Sequence, residues 1–265
     1  MRISRRYAII LAVAAAGALV VAGVAVAGTA SNGNVTSIGA SFSPNKVPKK
    51  KYKAGKVKFN SSTKFANPGV ASEGGKTHRL QVWFDNDLKV NPKAVAKCNP
   101  AKISGNITMA VAMNACSKAK VGTGFYESYN GTNPSHPVPA CALLFNGTPK
   151  NKKPTLLVFA RAQAGGATPT ISCKDPAHNT QGNVSVLLTG VYKSAKGDLG
   201  TQLDVNNIDS SSPLALTADT NTLKKGNYWS ARCKDKNKTW NFQVRHTYSD
   251  GVKVTDKTSQ KCKVG

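Results

Sequence analysis

Acidic residues are scarce in this chain, which has 12 Asp and Glu against 37 Lys and Arg in 265 residues. Glu73 and Glu127 are its only glutamates. A glycosidase places two carboxylates across a sugar bond, and no spacing in the sequence singles out such a pair. The formal net charge of +25 instead indicates a surface that attracts polyanions.

Arginine is also rare. Beyond residue 27 the cations are lysines except for Arg79, Arg161, Arg232 and Arg245. Lysine is a hydrated point charge, whereas arginine has the planar fork that reads bases and grips phosphate with two bonds. The composition therefore favours diffuse binding of anionic polymers and disfavours sequence-specific recognition of nucleic acid.

Motifs for catalysis and metal binding are missing as well. The sequence has no G-x-S-x-G, no H-E-x-x-H, no Gly-rich phosphate loop and no C-x-x-C. Asp85-Asn86-Asp87 is its densest acidic point, which is typical of a calcium loop or of a polar turn after a strand; we predict the turn. The histidines are isolated from one another: His78, His136, His178 and His246. We therefore assign no catalytic residue, metal ligand or cofactor, and we expect a protein that is not an enzyme.

An export signal is predicted over residues 1–27. Arg2, Arg5 and Arg6 precede an apolar run that closes on Ala25-Val26-Ala27, a small-x-small cleavage pattern. The run is long enough to span a bilayer as an uncleaved anchor, but its Ala-rich composition and the cleavage pattern favour removal. Cleavage leaves +22 of the +25 charges, and no integral membrane segment. We predict a secreted, extracellular or cell-wall-associated protein.

All six cysteines follow this segment. An even set in an exported chain predicts three disulfides, and six cysteines allow 15 pairings among which the sequence does not decide. We predict the sequential arrangement, in which each crosslink contributes on the order of 3 kcal/mol by restricting the unfolded chain. The predicted pairs are Cys98–Cys116, Cys141–Cys173 and Cys233–Cys262.

The sequence predicts a flexible arm over residues 28–55, which are rich in Lys, Pro and Ser. A β-sandwich domain is predicted over residues 56–265. Few large apolar side chains occur in the arm, and lysines crowd around its end. These lysines are candidates for polyanion binding, with a solvated linker as the alternative. They are Lys46, Lys49, Lys50, Lys51, Lys53, Lys56 and Lys58.

Strand patterns dominate the remainder. Leu80, Val82 and Phe84 share one face of a period-two pattern, and Trp240 to Tyr248 alternate in the same way. Residues 141–145, 156–159 and 184–188 are nearly all apolar, which is typical of strands buried on both faces. The sequence therefore predicts an all-β fold, an antiparallel β-sandwich stapled by disulfides.

Turns and one short helix complete the predicted fold. Asn146-Gly147 and Asp250-Gly251 predict hairpins, and residues 107–116 predict a helix with Ile107, Val111 and Ala115 on one face. The segment 148–154 is either a linker between two sandwiches or a hairpin loop, and we prefer the hairpin.

Aromatic residues fall into two predicted groups. Trp240 and Phe242 continue a buried face and are expected in the core. Tyr126, Tyr129 and Trp229 are possible ligand-binding aromatics, with core packing as their alternative role.

A set of short motifs made of cysteines, turns and strand ends covers most of residues 56–265. The motifs are Ala115-Cys116 with Ala119-Lys120-Val121-Gly122, Phe145-Asn146-Gly147, Ala231-Arg232-Cys233, Asp250-Gly251 and Gln260-Lys261-Cys262. In these motifs the chain resembles a set of uncharacterised secreted proteins of actinobacteria. The resemblance implies a shared extracellular fold without a known activity, and it supports the pairing of Cys233 with Cys262.

These observations predict a non-enzymatic binding or structural protein whose cationic surface associates with anionic polymers of the cell envelope. Two other functions stay open at this point. An extracellular hydrolase would gather His178 or His246 with an acid and a Ser or Cys. A surface adhesin would expose Tyr126, Tyr129 and Trp229 in one patch.

Overall fold

The computed structural model describes residues 28–29, 35–64, 76–129, 137–162, 184–208, 215–235 and 238–265. The predicted export signal lies outside these residues, as do Cys173, His136 and His178. Within the described ranges no helix is long and apolar enough to cross a membrane.

The described chain is mostly antiparallel β-structure, with one short helix, which confirms the predicted fold class. Within the same residues, 3₁₀ turns lie at Pro92–Ala94, Pro100–Lys102 and Ser117–Ala119. The regular elements are β1 (Gly28–Thr29), β2 (Val35–Ser43), β3 (Lys46–Val47), β4 (Lys53–Lys64), β5 (Thr77–Asp85), β6 (Leu88–Val90), α1 (Met109–Cys116), β7 (Lys120–Tyr129), β8 (Pro137–Lys150), β9 (Lys153–Ala162), β10 (Val184–Ser194), β11 (Leu199–Asn206), β12 (Ala215–Leu223), β13 (Trp229–Ala231), β14 (Thr239–Tyr248), β15 (Lys253–Lys261) and β16 (Lys263–Val264).

One long antiparallel sheet contains most of these strands. Its order is β1-β2-β4-β12-β7-β8-β9-β10-β11-β5-β14-β15, and β13 joins β4 to β6 at its side. The short strands β3 and β16 pair in parallel as a separate ribbon. Sequence neighbours from β7 to β11 also pair in space, whereas β4 pairs with β12 and β5 with β11 and β14 across long stretches of chain.

The sheet folds back on itself, so that its two end regions meet along a seam between β2 and β15. Gln260 on β15 bridges this seam: its Oε1 accepts from the Phe42 backbone N at 2.7 Å, and its Nε2 donates to the Phe42 carbonyl at 3.1 Å. Farther along, the hydroxyl groups of Thr36 and Tyr248 lie 3.1 Å apart. The seam makes the inward faces of the sheet into the two sides of one core.

Aromatic side chains fill much of this core. Phe42 meets Trp240 edge-on with ring centroids 5.4 Å apart, and Phe84 lies 4.6 Å from Trp229 and 6.3 Å from Phe242. The alternation read from residues 80–84 and 240–248 is confirmed, because these strands point every second side chain inward. Trp240 and Phe242 are buried, as predicted.

A second apolar cluster lies on the outer face of β8 and β9. There α1 places Met109 and Ala112 over Phe145 and Phe159. The two-sided burial predicted for residues 141–145 and 156–159 is confirmed, since one face meets the core and the other meets the helix. Residues 184–188 are only half-buried.

Two of the predicted disulfides are present in the described residues. Cys98 is bonded to Cys116 with Cα atoms 5.4 Å apart, and Cys233 to Cys262 with Cα atoms 5.8 Å apart. Cys141 is also disulfide-bonded, but Cys173, its predicted partner, lies outside the described residues. The first bond ties the end of α1 to β8, because Cys98 forms a bridge with Gly147.

The predicted helix is confirmed, but its buried face differs from the prediction. Thr108 caps the helix, accepting a hydrogen bond from the Val111 backbone N at 3.2 Å. Met109, Ala112 and Cys116 are buried, whereas Val111 is 49% exposed. The disulfide at Cys116 turns this face toward the sheet.

One of the two predicted hairpins is confirmed. Asp250-Gly251 connects β14 to β15, and Gly251 has the positive φ of 84° that its turn requires. Asn146-Gly147 is wrong as a hairpin, because both residues lie inside β8. The chain reverses instead at Asn151 and Lys152, with φ of 51° and 62°, so the 148–154 segment is a hairpin and not a linker.

Asn146 is buried, and its side chain has a structural role. Its Nδ2 donates to the carbonyl groups of Pro92, Val95 and Ala96 at 2.9–3.0 Å. One amide thus holds the segment before α1 against the sheet. A polar residue that is typical of turns therefore occupies the middle of a strand.

The predicted flexible arm over residues 28–55 is wrong for the part that the structure describes. Residues 35–43 form β2, with Ile38 and Phe42 buried, and β4 begins at Lys53. The sheet therefore begins before residue 56. The segment has few large apolar side chains because the outward face of β2 carries serine and glycine and only its inward face needs apolar groups.

Breaking the seam is expected to destabilise the fold. Gln260→Ala would leave the buried Phe42 N–H and carbonyl without their partners, at a cost of about 2–4 kcal/mol in the free energy of unfolding. Urea unfolding measures this loss. Gln243→Ala, which removes a half-exposed glutamine on β14, is the control, with an expected change within about 0.5 kcal/mol. Equal effects of the two variants would contradict the role of the seam.

His246 is enclosed in the core beside the seam. It is 1% exposed, its ring stacks on Tyr248 at 6.2 Å, and its Nδ1 lies 3.5 Å from the Thr77 hydroxyl. Burial penalises the charged imidazolium and lowers the pKa of His246 from 6.5 to about 4. The histidine is therefore neutral in the folded state at physiological pH.

This burial predicts a loss of stability in mild acid. Between pH 6.5 and 4 the unfolded chain binds a proton at His246 that the folded chain does not. The free energy of unfolding therefore decreases as the pH is lowered, by about 3 kcal/mol between pH 6.5 and 4. His246→Phe should flatten this dependence, while His78→Phe, at a half-exposed histidine, should keep it. Urea unfolding across the window tests this; parallel curves for the wild type and His246→Phe would contradict it.

Candidate functional site

Two rows of lysines point outward from the strands at the seam. On β4 and β15 alternate residues are exposed, because their neighbours point into the core. We call these six residues the lysine face. It consists of Lys56, Lys58 and Lys64 on β4 and Lys253, Lys257 and Lys261 on β15.

Small side chains on β2 form the floor between the two rows. Ser43 lies opposite Lys56 and Ser41 opposite Lys58 in the register of β2 and β4. Farther along, the side chain of Asn60 lies across Gly39, where a Cβ would come within 2.8 Å of its Oδ1. The floor is therefore low and polar, and the lysines rise on either side of it.

The lysine face carries no opposing charge among the described residues. None of its six lysines forms an ion pair there. Strands β2 and β4 contain no acidic residue, and the one acid of β15, Asp256, points inward and is 2% exposed. In the described part of the chain, the two rows therefore present their positive charges to solvent.

A buried acid elsewhere in the sheet pairs with two cations of neighbouring strands. Asp204 on β11 accepts from Nε and a terminal nitrogen of Arg79, both at 2.7 Å, and also contacts Lys193. Burial raises the pKa of Asp204, but the bonds from Arg79 and Lys193 outweigh it and hold the pKa below its ordinary value. With two cations and one carboxylate, this cluster has a net charge of +1.

The Asp85-Asn86-Asp87 segment is the polar turn that the sequence predicts. Asp85 accepts from the backbone N of Asp87 at 2.9 Å and from that of Asn241 at 3.0 Å. Asp87 accepts from Arg232 Nε at 2.8 Å. Burial raises the pKa of Asp85 despite these hydrogen bonds. The protein's own donors thus engage both oxygens of Asp85 and Oδ1 of Asp87, as in a polar turn.

The predicted polyanion-binding lysines divide between two places. Lys56 and Lys58 belong to the lysine face, whereas the others surround the β3–β16 ribbon and the start of β4. Lys263 of β16 pairs with Lys46 of β3, which brings the end of the chain beside this group. The exposed members of this second group are Lys46, Lys49, Lys50, Lys51, Lys53 and Lys263.

An arginine on the neighbouring strand extends the lysine face. Arg245 on β14 lies over the Trp83 ring with its Cζ 5.3 Å from the centroid, and its Nε donates to Thr255 Oγ1 at 3.0 Å. Thr255 lies between Lys253 and Lys257 on β15. The guanidinium is therefore held flat beside the lysine row by an aromatic ring and a hydroxyl.

The candidate ligand aromatics do not form one surface patch. Trp229 is 1% exposed and packs between Phe84 and Tyr192, so its prediction as a ligand residue is wrong. Tyr126 is half-buried and points inward, and the side chain of Tyr129 lies outside the described residues. The packing of β13 against β4 and β6 places Trp229 in the core.

Four of the six lysines of the lysine face are not among the lysines predicted from the sequence: Lys64, Lys253, Lys257 and Lys261. Lys253, Lys257 and Lys261 recur at every fourth residue, which puts them on one side of a strand. That spacing is a readable signal once residues 253–261 are recognised as a strand. Their position beside Lys56 and Lys58 depends on the seam, which no local pattern reveals.

Comparisons with models of protein families, with curated proteins and with solved structures found no match to this chain. The resemblance to secreted actinobacterial proteins therefore stays a prediction. The function must be argued from the surface and the interior of the molecule itself.

Proposed function

We propose that the protein is exported and binds anionic polymers of the cell envelope through the lysine face, without catalysis. The observation that carries this proposal is the pair of lysine rows flanking a floor of serines, with no acidic side chain pointing outward from these strands. The net charge of the whole chain draws polyanions toward the molecule, and the lysine face gives them a place to lie.

The spacing of the lysines suits a polymer with repeated negative charges. On one face of a strand, residues two apart are separated by roughly 6.6 Å and residues four apart by roughly 13 Å. A flexible chain of phosphates or carboxylates can meet several lysines at once. Each contact releases counterions, so many individually weak contacts add up to binding that depends steeply on salt.

Display on strands strengthens this binding relative to a flexible arm. The backbone of β2, β4 and β15 is fixed by the sheet before the ligand arrives, so binding orders only the lysine side chains. Lysine recognises charge and not base or sugar identity. We therefore expect the protein to select polymers by their charge density.

No contact among the described residues supports the hydrolase or the adhesin, the two other functions that the sequence left open. The hydrolase hypothesis rests on His178 or His246, and His246 is enclosed by the core while His178 lies outside the described residues. An adhesin built on Tyr126, Tyr129 and Trp229 loses Trp229 to the core.

Neutralising the lysine face is expected to weaken polyanion binding by more than about tenfold at low salt. The binding of fluorescent polyphosphate across a salt series measures both affinity and salt dependence. Removal of the charges should also make the plot of log affinity against log salt shallower by roughly three to four charge equivalents. The variant combines Lys56→Gln, Lys58→Gln, Lys257→Gln and Lys261→Gln.

The matched control removes the same net charge from the opposite side of the sheet. Its four exposed lysines lie in the segment that covers β8 and β9, and binding should stay within about threefold of the wild type. Equal weakening by both variants would reduce the interaction to net charge alone, and an affinity indifferent to salt would remove its electrostatic basis. The control combines Lys93→Gln, Lys97→Gln, Lys102→Gln and Lys118→Gln.

Export is tested separately by the N-terminus of the natural protein. We expect the chain recovered outside the cell or from the cell wall to begin at Gly28, because the cleavage pattern ends at Ala27. Intact-mass measurement should also show no free thiol. A cytoplasmic chain that retains residues 1–27 and titrates with free thiols would contradict export.

A further inference from the structure

The core enclosed by the sheet is not completely filled. A cavity of about 110 Å³ lies between the inward faces of eight strands, β4, β5 and β7 to β12. Its deep wall is made of large apolar side chains that are themselves buried. These are Phe59, Val82, Phe84, Leu156, Leu203 and Leu223.

Small inward-facing residues on β8 and β9 leave this space open. Ala140, Ala160 and Ala162 line the cavity at positions where a leucine or phenylalanine would fill it. Gly190 on the next strand also points inward, with Leu203 and Val205 packed over it. The cavity therefore exists because small residues occupy these core positions.

The cavity opens at the end of the sheet where β9 and β10 meet. Val184 lies opposite Ala162 in the register and is 36% exposed, although it belongs to the inward-facing row of β10. Val186 and Leu188 follow it in that row, line the cavity and are half-exposed. Apolar side chains that point inward yet reach solvent mark a mouth and not a packed core.

The polar side chains of the lining lie on one side of the cavity, on β7 and β12. The Tyr126 hydroxyl donates to Asn221 Oδ1 at 2.6 Å, and Ser128 follows two residues later on the same face of β7. The register places Tyr126 opposite Ala140, which in turn lies opposite Ala162 at the mouth. Asn221 lies farther in, opposite Phe59, so the polar side extends from the mouth toward the deep wall.

We propose that this cavity binds the aliphatic chain of an amphiphile, with the tail against the deep wall and the polar group near Tyr126 and Asn221. A few polar side chains on one side of an otherwise apolar lining fit a ligand with one apolar and one polar end. An engineered apolar cavity of about 150 Å³ in another protein stays dry and binds benzene. The volume here therefore suits a slender alkyl segment whose remainder occupies the mouth.

This binding is independent of the lysine face. Neighbouring residues of β4 serve the two places, because Lys58 points outward while Phe59 points into the cavity. A neutral ligand separates the two functions experimentally, since it has no charge for the lysines to attract.

The first experiment titrates the full folded protein with 1-octanol and follows the methyl groups of Leu and Val by NMR. We expect saturable shifts at Leu156, Val158 and Leu203, which are unchanged by salt. Leu143 and Leu157, which belong to the cluster under α1, should not move. Shifts spread over both clusters, or no saturable shift up to the solubility limit, would overturn the proposal.

The second experiment fills the cavity. Ala160→Leu and Ala162→Leu, made separately, should each weaken octanol binding by at least about tenfold while the protein stays folded. Ala110→Leu adds the same atoms to the exposed side of α1 and should leave the affinity unchanged. Equal affinity in the filled and control variants would overturn the site. Loss of octanol binding with normal polyphosphate binding would show that the cavity alone was blocked.

Discussion

The contact between Gln260 and Phe42 is the constraint on which the rest of the structure depends. A sheet of this length has two ends, and a side-chain amide joins them by imitating the two hydrogen bonds of a strand neighbour. Closing the seam brings β15 beside β2, which assembles the lysine face from distant parts of the chain. It also encloses the inward faces, and so the cavity exists because the sheet is closed.

Strand alternation lets one sheet hold two unrelated properties. Outward positions carry lysine, serine and threonine. Inward positions carry the apolar lining of the cavity and its few polar side chains. Three buried acids, Asp204, Asp85 and Asp87, pair with arginines and lysines of neighbouring segments. The outward faces of β2, β4 and β15 carry no acid.

The sequence predicted what depends on local pattern. The all-β class, α1 and the Asp250-Gly251 hairpin follow from periodicity and turn chemistry. The pairs Cys98–Cys116 and Cys233–Cys262 agree with the predicted sequential arrangement, although the sequence did not decide among the possible pairings. The lysine face could not be read in the same way, because Lys58 and Lys257 meet only through the register of β4 with β2 and the seam beyond it. Trp229 was misjudged for a similar reason: an aromatic at a strand end is exposed or buried according to what packs over it. The cavity depends on alanines whose facing strands are unknown until the topology is.

The segment from Pro92 to Cys116 has a protective role that its position makes plain. It covers Leu143, Phe145, Leu157 and Phe159 on the outside of the sheet and is fastened there by one disulfide and one asparagine. Without this cover, these large apolar side chains would form one contiguous exposed patch of the kind that binds other molecules. The Cys98–Cys116 bond therefore keeps an apolar surface covered as well as joining two distant parts of the chain.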